Sequence, residues 1–246
     1  SLEDGKLSYT VANFKTEIYP ELSKADKKLV DLFYLKFDNR NLLTLLKDKE
    51  ASVDTSLGNY SADELLSVIA SIKEETAPDK KFPAYFYEFA ELYLNTPGDE
   101  RWGLEDKLHG FYYSHAMKSG NPFVSAWFEL NLDVNNILAA MTARKYKMDV
   151  AKVPVGENLV AEALRNSNAR DFGLADDLEY FEQLVRINDT VDLVEREKKI
   201  DLLKWNWMED NTFFNYFTIE KIFVFLMKLE MIERWVSLDK EKGNEL

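Results

Sequence analysis

The sequence predicts an all-α fold, a helical bundle built from two or three related helix-hairpin repeats, and three observations predict it. The segment Asn121 to Lys147 carries Phe123, Ala126, Trp127, Leu130, Val134, Ile137, Leu138 and Met141 at three- and four-residue steps, the period of a helix. Within it, Asp133-x-x-Asn136-Ile137-Leu138 repeats the cadence Asp38-x-x-Asn41-Leu42-Leu43, and upstream Phe33, Leu35 and Phe37 fall in register with Phe128, Leu130 and Leu132. A weaker third copy runs through Phe225, Met227, Leu229 and Glu230-x-x-Glu233-Arg234-Trp235. Finally, 9 glycines and 6 prolines in 246 residues leave little room for a turn-rich β fold.

The elements follow from local chemistry. Thr10 to Tyr19 reads as a short helix ended near Pro20. Ser23-x-x-Asp26 resembles a capping box and opens a helix running to about Lys49, with room for a kink near Asp38 and Asn39. Ala51 to Tyr60 is a polar loop containing Gly58. Ser61-x-x-Glu64 is a capping box for a helix to about Glu74, with Leu65, Val68, Ile69 and Ile72 on one face. After a connector at Ala77 to Lys81, Pro83 starts a helix rich in aromatics (Tyr85, Phe86, Phe89, Tyr93). Asn95 to Gly103 is a loop, and Leu104 to Ser119 is a helix stopped by Gly120. Asn121 caps the central helix, with Pro122 at the first position, where a missing N–H costs nothing.

Beyond it, Met148 to Gly156 reads as extended or irregular and Glu157 to Asn166 as a short helix. Ser167 to Gly173 is a polar loop, Leu178 to Ile187 another short helix, and Thr190 to about Asp210 a long one. Thr218 caps the last helix, with Phe217 and Ile222 placed for a hydrophobic staple, and Lys240 to Leu246 reads as a solvated tail. No clean linker interrupts the chain. The expectation is one all-helical domain over residues 1–246, with repeats centred near 23–49, 121–147 and 218–240.

Composition narrows the function. A hydrophobic content of 46% with 13% aromatics marks a globular chain. The net charge of -13 argues against a general nucleic-acid binder, which needs clustered Lys and Arg. Zero cysteines exclude disulfides, thiolate metal sites and cysteine nucleophiles, a composition compatible with the cytoplasm. No signal peptide is visible, and a start at Ser1 suggests a processed chain. The strongest apolar run, Ile222 to Met227, lies between Lys221 and Lys228, far short of the ~20 residues a membrane span needs.

Motifs for chemistry are lacking. His109 and His115 sit six residues apart on one helix and face different sides; Asp106-x-x-His109 has no second copy to build a di-iron site. There is no glycine-rich dinucleotide or phosphate loop and no nucleophile elbow. Glu230 and Glu233 share a helix face, which is usually a solvated one. Trp205, Trp207, Phe213, Phe214, Tyr216 and Phe217 could form a binding surface, with core packing the plainer reading. No cofactor or metal is expected.

The repeated cadence carries the reading further. Leu130-x-Leu132-Asp133-x-x-Asn136-Ile137-Leu138, followed by Arg144-Lys145, resembles the central-stalk component of V/A-type rotary ATPases, the part called C in prokaryotes and d in eukaryotes. Lys228 to Trp235 looks like that family's lysine–glutamate run, with Glu230 and Arg234 at the matching places. Over nearly its full length the chain resembles an uncharacterised bacterial family, mainly from Bacteroidetes, associated with V-type ATPase operons. Its hallmark stretches look like Ser167 to Leu174 and Trp207 to Phe217. The chain departs from the stalk component in being shorter, in carrying Lys47 and Lys49 near where an arginine would fall, and in placing Glu233 where the asparagine would be.

The resemblance implies a funnel-like, non-catalytic part on the cytoplasmic face of the inner membrane, peripheral to it through protein contacts. There it would couple the membrane rotor ring to the rotating shaft. Asp38, Asn41, Asp133 and Asn136 are then candidates for partner contact, because polar groups on mostly apolar helices need a reason. The other reading is that they hydrogen-bond neighbouring helices within the fold. Arg144 and Arg234 could pair with those carboxylates across repeats, and Arg170 offers a different partner surface. A scaffold or assembly factor that kept the fold but left the rotor is the second hypothesis, and an enzyme of unrecognised type the third.

Overall fold

The structure is a computed structural model that describes residues 9–212 and 218–244. Among these residues it is all-helical, with ten α-helices and no strand. Its contacts divide the chain into two compact units: residues 31–172, and residues 1–30 with 173–246. One boundary falls inside a continuous helix and the other between two adjacent loop residues, so no change of composition announces either.

The contiguous unit is built on two long helices. Helix α2, Lys24–Lys47, enters it at Asp31 and is unbroken at Asp38–Asn39. Helices α3 (Ala62–Lys73), α4 (Ala84–Asn95) and α5 (Leu104–Ala116) follow, then the long α6 (Pro122–Lys145) and the short α7 (Leu159–Asn166). The cap chemistry is as the residues dictate. Ser61 and Glu64 close a reciprocal capping box, and the Asn121 side chain accepts the Val124 N–H with Pro122 at the first position. Helix α5 packs on α6, α3 on α4, and α6 on α7. The aromatics of α4 are core: Phe86 and Phe89 are fully buried, and the Tyr112 hydroxyl of α5 donates to the Leu32 carbonyl of α2 at 2.6 Å.

Helix α5 comes close to the segment after α6 because Gly110 lacks a side chain. A Cβ there would lie 2.6 Å from the Cβ of Val155. Gly110→Ala is therefore expected to overpack this contact and lower stability by about 1–3 kcal/mol in urea unfolding, despite the better helix propensity of alanine.

The other unit contains α1 (Val11–Glu17), the first turns of α2, α8 (Phe181–Asn188), α9 (Leu193–Asn211) and α10 (Ile219–Asn244). Thr10 and Asn13 form a capping box on α1, and Phe14 is fully buried with Phe223, Leu184 and Met208 among the apolar residues. Helix α10 packs on both α1 and α9, and Trp205 stacks on Trp235 with centroids 5.7 Å apart.

Several helix ends and one cap differ from expectation, among them α5, which stops at Ala116 and not Ser119. Helix α10 continues through Asn244, so residues 240–244 of the anticipated solvated tail are helical, with 240–243 exposed. Thr218 does not cap it by its hydroxyl, which is buried without a hydrogen-bond partner; its carbonyl accepts the Ile222 N–H. Helix α8 begins at Phe181 because Leu174 to Leu178 closes a separate turn, and α9 begins at Leu193 because Asp192 accepts the Glu195 N–H. Phe213, Phe214, Tyr216 and Phe217, with the expected staple, lie outside the described residues.

Candidate functional site

The Asp-x-x-Asn pairs lie in the middle turns of α2 and α6, and each binds the loop that follows its helix. Asp38 is fully buried, and its carboxylate accepts the Asn59 N–H at 2.9 Å on both oxygens and the Tyr60 N–H at 3.0 Å. These residues lead into Ser61, the cap of α3. One turn along α2, the Asn41 amide donates to the Asp54 carbonyl at 2.9 Å, gripping the same loop nearer its start. Gly58 allows the approach, since a Cβ there would sit 2.5 Å from an Asp38 carboxylate oxygen.

On α6, Asn136 exchanges two hydrogen bonds with the Val155 backbone, donating to its carbonyl at 2.9 Å and accepting its N–H at 3.1 Å. Asp133 accepts the Asn158 side-chain amide at 2.8 Å, while the Asn158 carbonyl oxygen caps α7 through the Ala161 N–H. In both repeats the asparagine pins the returning loop and the aspartate holds the approach to the next helix. Helix period fixes this: residues three apart share a face, so both side chains reach one loop.

The two aspartates differ electrically. Asp38 receives backbone donors, whereas Asp133 receives one neutral amide in a buried setting. Burial pushes the Asp133 carboxyl up to about 7; the Asn158 bond works against this and Glu129 adds to it.

The third copy uses its acids differently. Glu233 accepts the N–H of Val11, the first residue of α1, at 2.5 Å, and its carboxyl is raised by burial, with Val11 opposing and Glu230 adding. Glu230 pairs with Arg234 at 2.9 Å. Arg234 also binds Asp201 through Nε and Nη2, and Trp235 donates its indole N–H to the same carboxylate. Burial works against the Arg234 charge, but Glu230 and Asp201 outweigh it and hold the guanidinium above its ordinary pKa. Glu233 thus joins α10 to α1, and Glu230 steadies the arginine that bonds α9.

The arginines do not pair with the clamp aspartates. Arg144, on the last turn of α6, donates to the Arg170 carbonyl at 2.9 Å and lies 3.8 Å over the Phe172 ring. A planar guanidinium can stack and donate at once, and the adjacent loop offers both partners. Arg170 itself is exposed. Just beyond Arg144, Met148 and Lys147 N–H groups bond the Ala143 and Arg144 carbonyls, a Schellman ending with Lys147 at φ 56° where glycine is usual. Lys147→Gly is expected to stabilise the chain by about 1 kcal/mol in urea unfolding.

The partners of the site have no place in the sequence-based expectation: Asn158, the backbones of Asp54, Asn59, Tyr60 and Val155, Asp201 and the Val11 N–H. Asn158 three residues before Ala161 is a cap pattern, the one signal available in advance. Among the described residues no cluster of His, Asp or Glu could hold a metal. No described helix is long and apolar enough to cross a membrane.

These features define an all-helical protein whose long helices carry duplicated acid–amide clamps. The chain belongs to the family described as protein of unknown function (DUF2764), which it matches over residues 1–246. Neither a curated protein nor a solved structure matches it.

Proposed function

We propose that this chain is a non-catalytic central-stalk protein of a V/A-type ATPase, of the C/d type, that couples the membrane rotor ring to the rotating shaft. The observation that carries the reading is the duplicated clamp: Asp38 with Asn41 and Asp133 with Asn136 stand on two long helices, and each pair hydrogen-bonds the loop that follows its helix. A repeated helical unit is what the resemblance to the stalk component implies, and a rigid adaptor requires long, well-anchored helices rather than a titrating catalytic group. Its place would be the cytoplasmic face of the membrane, reached through protein contacts.

A pull-down of tagged protein from gently solubilised native membranes tests the reading. Recovery of ring and shaft proteins in constant ratio supports it. Recovery of neither, with the chain soluble and alone, overturns it. One observation favours the alternative of a scaffold or assembly factor outside the assembled rotor. All four clamp residues are buried and turned to the fold's own use, so they are not available to seat a shaft.

A further inference from the structure

The end of α6 departs from the charge of the rest of the chain. Between Ala143 and Lys152 the sequence has Arg144, Lys145, Lys147 and Lys152 against a single acid, Asp149, on a protein of net charge -13. Tyr146, in their midst, is 65% exposed, and the Lys145 ammonium lies 5.6 Å from its ring centroid. Arg144 is half-buried. It ties the loop bearing the exposed Arg170 to this last turn through the Arg170 carbonyl and the buried Phe172 ring.

The backbone here is held in costly conformations. Three described non-glycine residues have positive φ, and two of them, Lys147 at 56° and Phe172 at 55°, bracket this patch. A lysine in place of glycine at a helix ending gives up stability and adds an exposed cation to the surface. Such local strain concentrates where a surface is shaped for binding. Asp149 is partly occupied, accepting the Ala151 N–H, and stands 3.9 Å from Lys152.

We propose that Lys145, Tyr146, Lys147 and Arg170 form a docking surface for an acidic segment of a partner protein. Charge complementarity selects the occupant: the cations attract carboxylates, and the exposed tyrosine supplies the central apolar anchor of a hot spot. A broad anionic surface such as a membrane or a duplex would meet the repulsion of the remaining acidic protein at long range. A short acidic segment meets only the patch. This inference does not depend on the stalk reading.

The test places p-benzoylphenylalanine at position 146 of the intact chain, in cells that make it natively, and identifies the irradiated adduct by mass. The expected adduct is a protein whose linked peptide carries excess Asp and Glu. Lys145→Glu with Arg170→Glu in the same chain should lower its yield by roughly tenfold. Lys147→Gly should lower the yield while raising the unfolding midpoint, which separates docking from folding. The same probe at Trp102, exposed among Asp99, Glu100, Glu105 and Asp106, should not capture that protein. Failure to form an adduct, a yield unmoved by charge reversal, or linkage to lipid, nucleic acid, a second copy or a basic peptide would each overturn the proposal.

Discussion

Asp38→Ala is expected to destabilise the chain by about 2–5 kcal/mol, the largest single-residue effect among the clamp positions, because two buried N–H donors lose their acceptor. The wild-type carboxylate is fully buried and meets the N–H groups of Asn59 and Tyr60 through three contacts of 2.9 to 3.0 Å. Alanine removes a charge-assisted acceptor and leaves those donors facing a gap lined by Gly58. The loss should be local before it is global. Hydrogen exchange at Asn59, Tyr60 and the first turn of α3 should accelerate most, with a lower urea midpoint. A loss under about 1 kcal/mol would mean that the loop, not the carboxylate, sets its own conformation. Asp38→Asn should recover only part of the loss, because one of its two terminal groups is a donor turned toward donors.

Asp133→Asn should act in the opposite direction, and only above mildly acidic pH. Burial raises the Asp133 carboxyl from 3.8 to about 7 in the folded chain. The folded state therefore holds a proton that the unfolded state has released, and wild-type stability falls as pH rises from about 4 through about 7. Above that window the carboxylate is charged and supported by one amide. Asparagine keeps an oxygen for Asn158 and carries no charge. The variant is expected to be more stable than wild type by on the order of 2–4 kcal/mol at about pH 8, and near equality at about pH 4. Urea midpoints across that range check it; a difference independent of pH would place the titration elsewhere.

Much of the fold is legible in the sequence because helix ends are written in short-range chemistry. Asn121-Pro122 and Ser61-x-x-Glu64 name their caps within a few residues, and the structure has them so. The clamp positions stand out for the same reason, as polar side chains in an apolar period. Their partners do not. Asn158 lies 25 residues from Asp133 and Asp54 lies 13 from Asn41, in loops whose path no periodicity describes. Sequence places Arg144 opposite a carboxylate because charge is the loudest property of arginine. Its ring stacking and carbonyl bond depend on where residues 170–172 return, which only tertiary structure decides. The end of α10 reads as a tail because its charged last turns lack an apolar stripe, yet Asp239 pairs with Lys198 and Lys242 with Asp192, contacts that only the tertiary structure supplies.

The bond from Glu233 to Val11 joins residues 222 positions apart, within a unit assembled from two separate stretches of chain. During synthesis, residues 31–172 emerge as one continuous piece and can condense while the ribosome is still at work. Helix α1 must wait, its first amide uncapped by a distant acid, until α10 has been translated. The uninterrupted piece therefore matures first. The unit that joins α1 to α10 is the last to close, and it is the one most exposed to a stalled or truncated message.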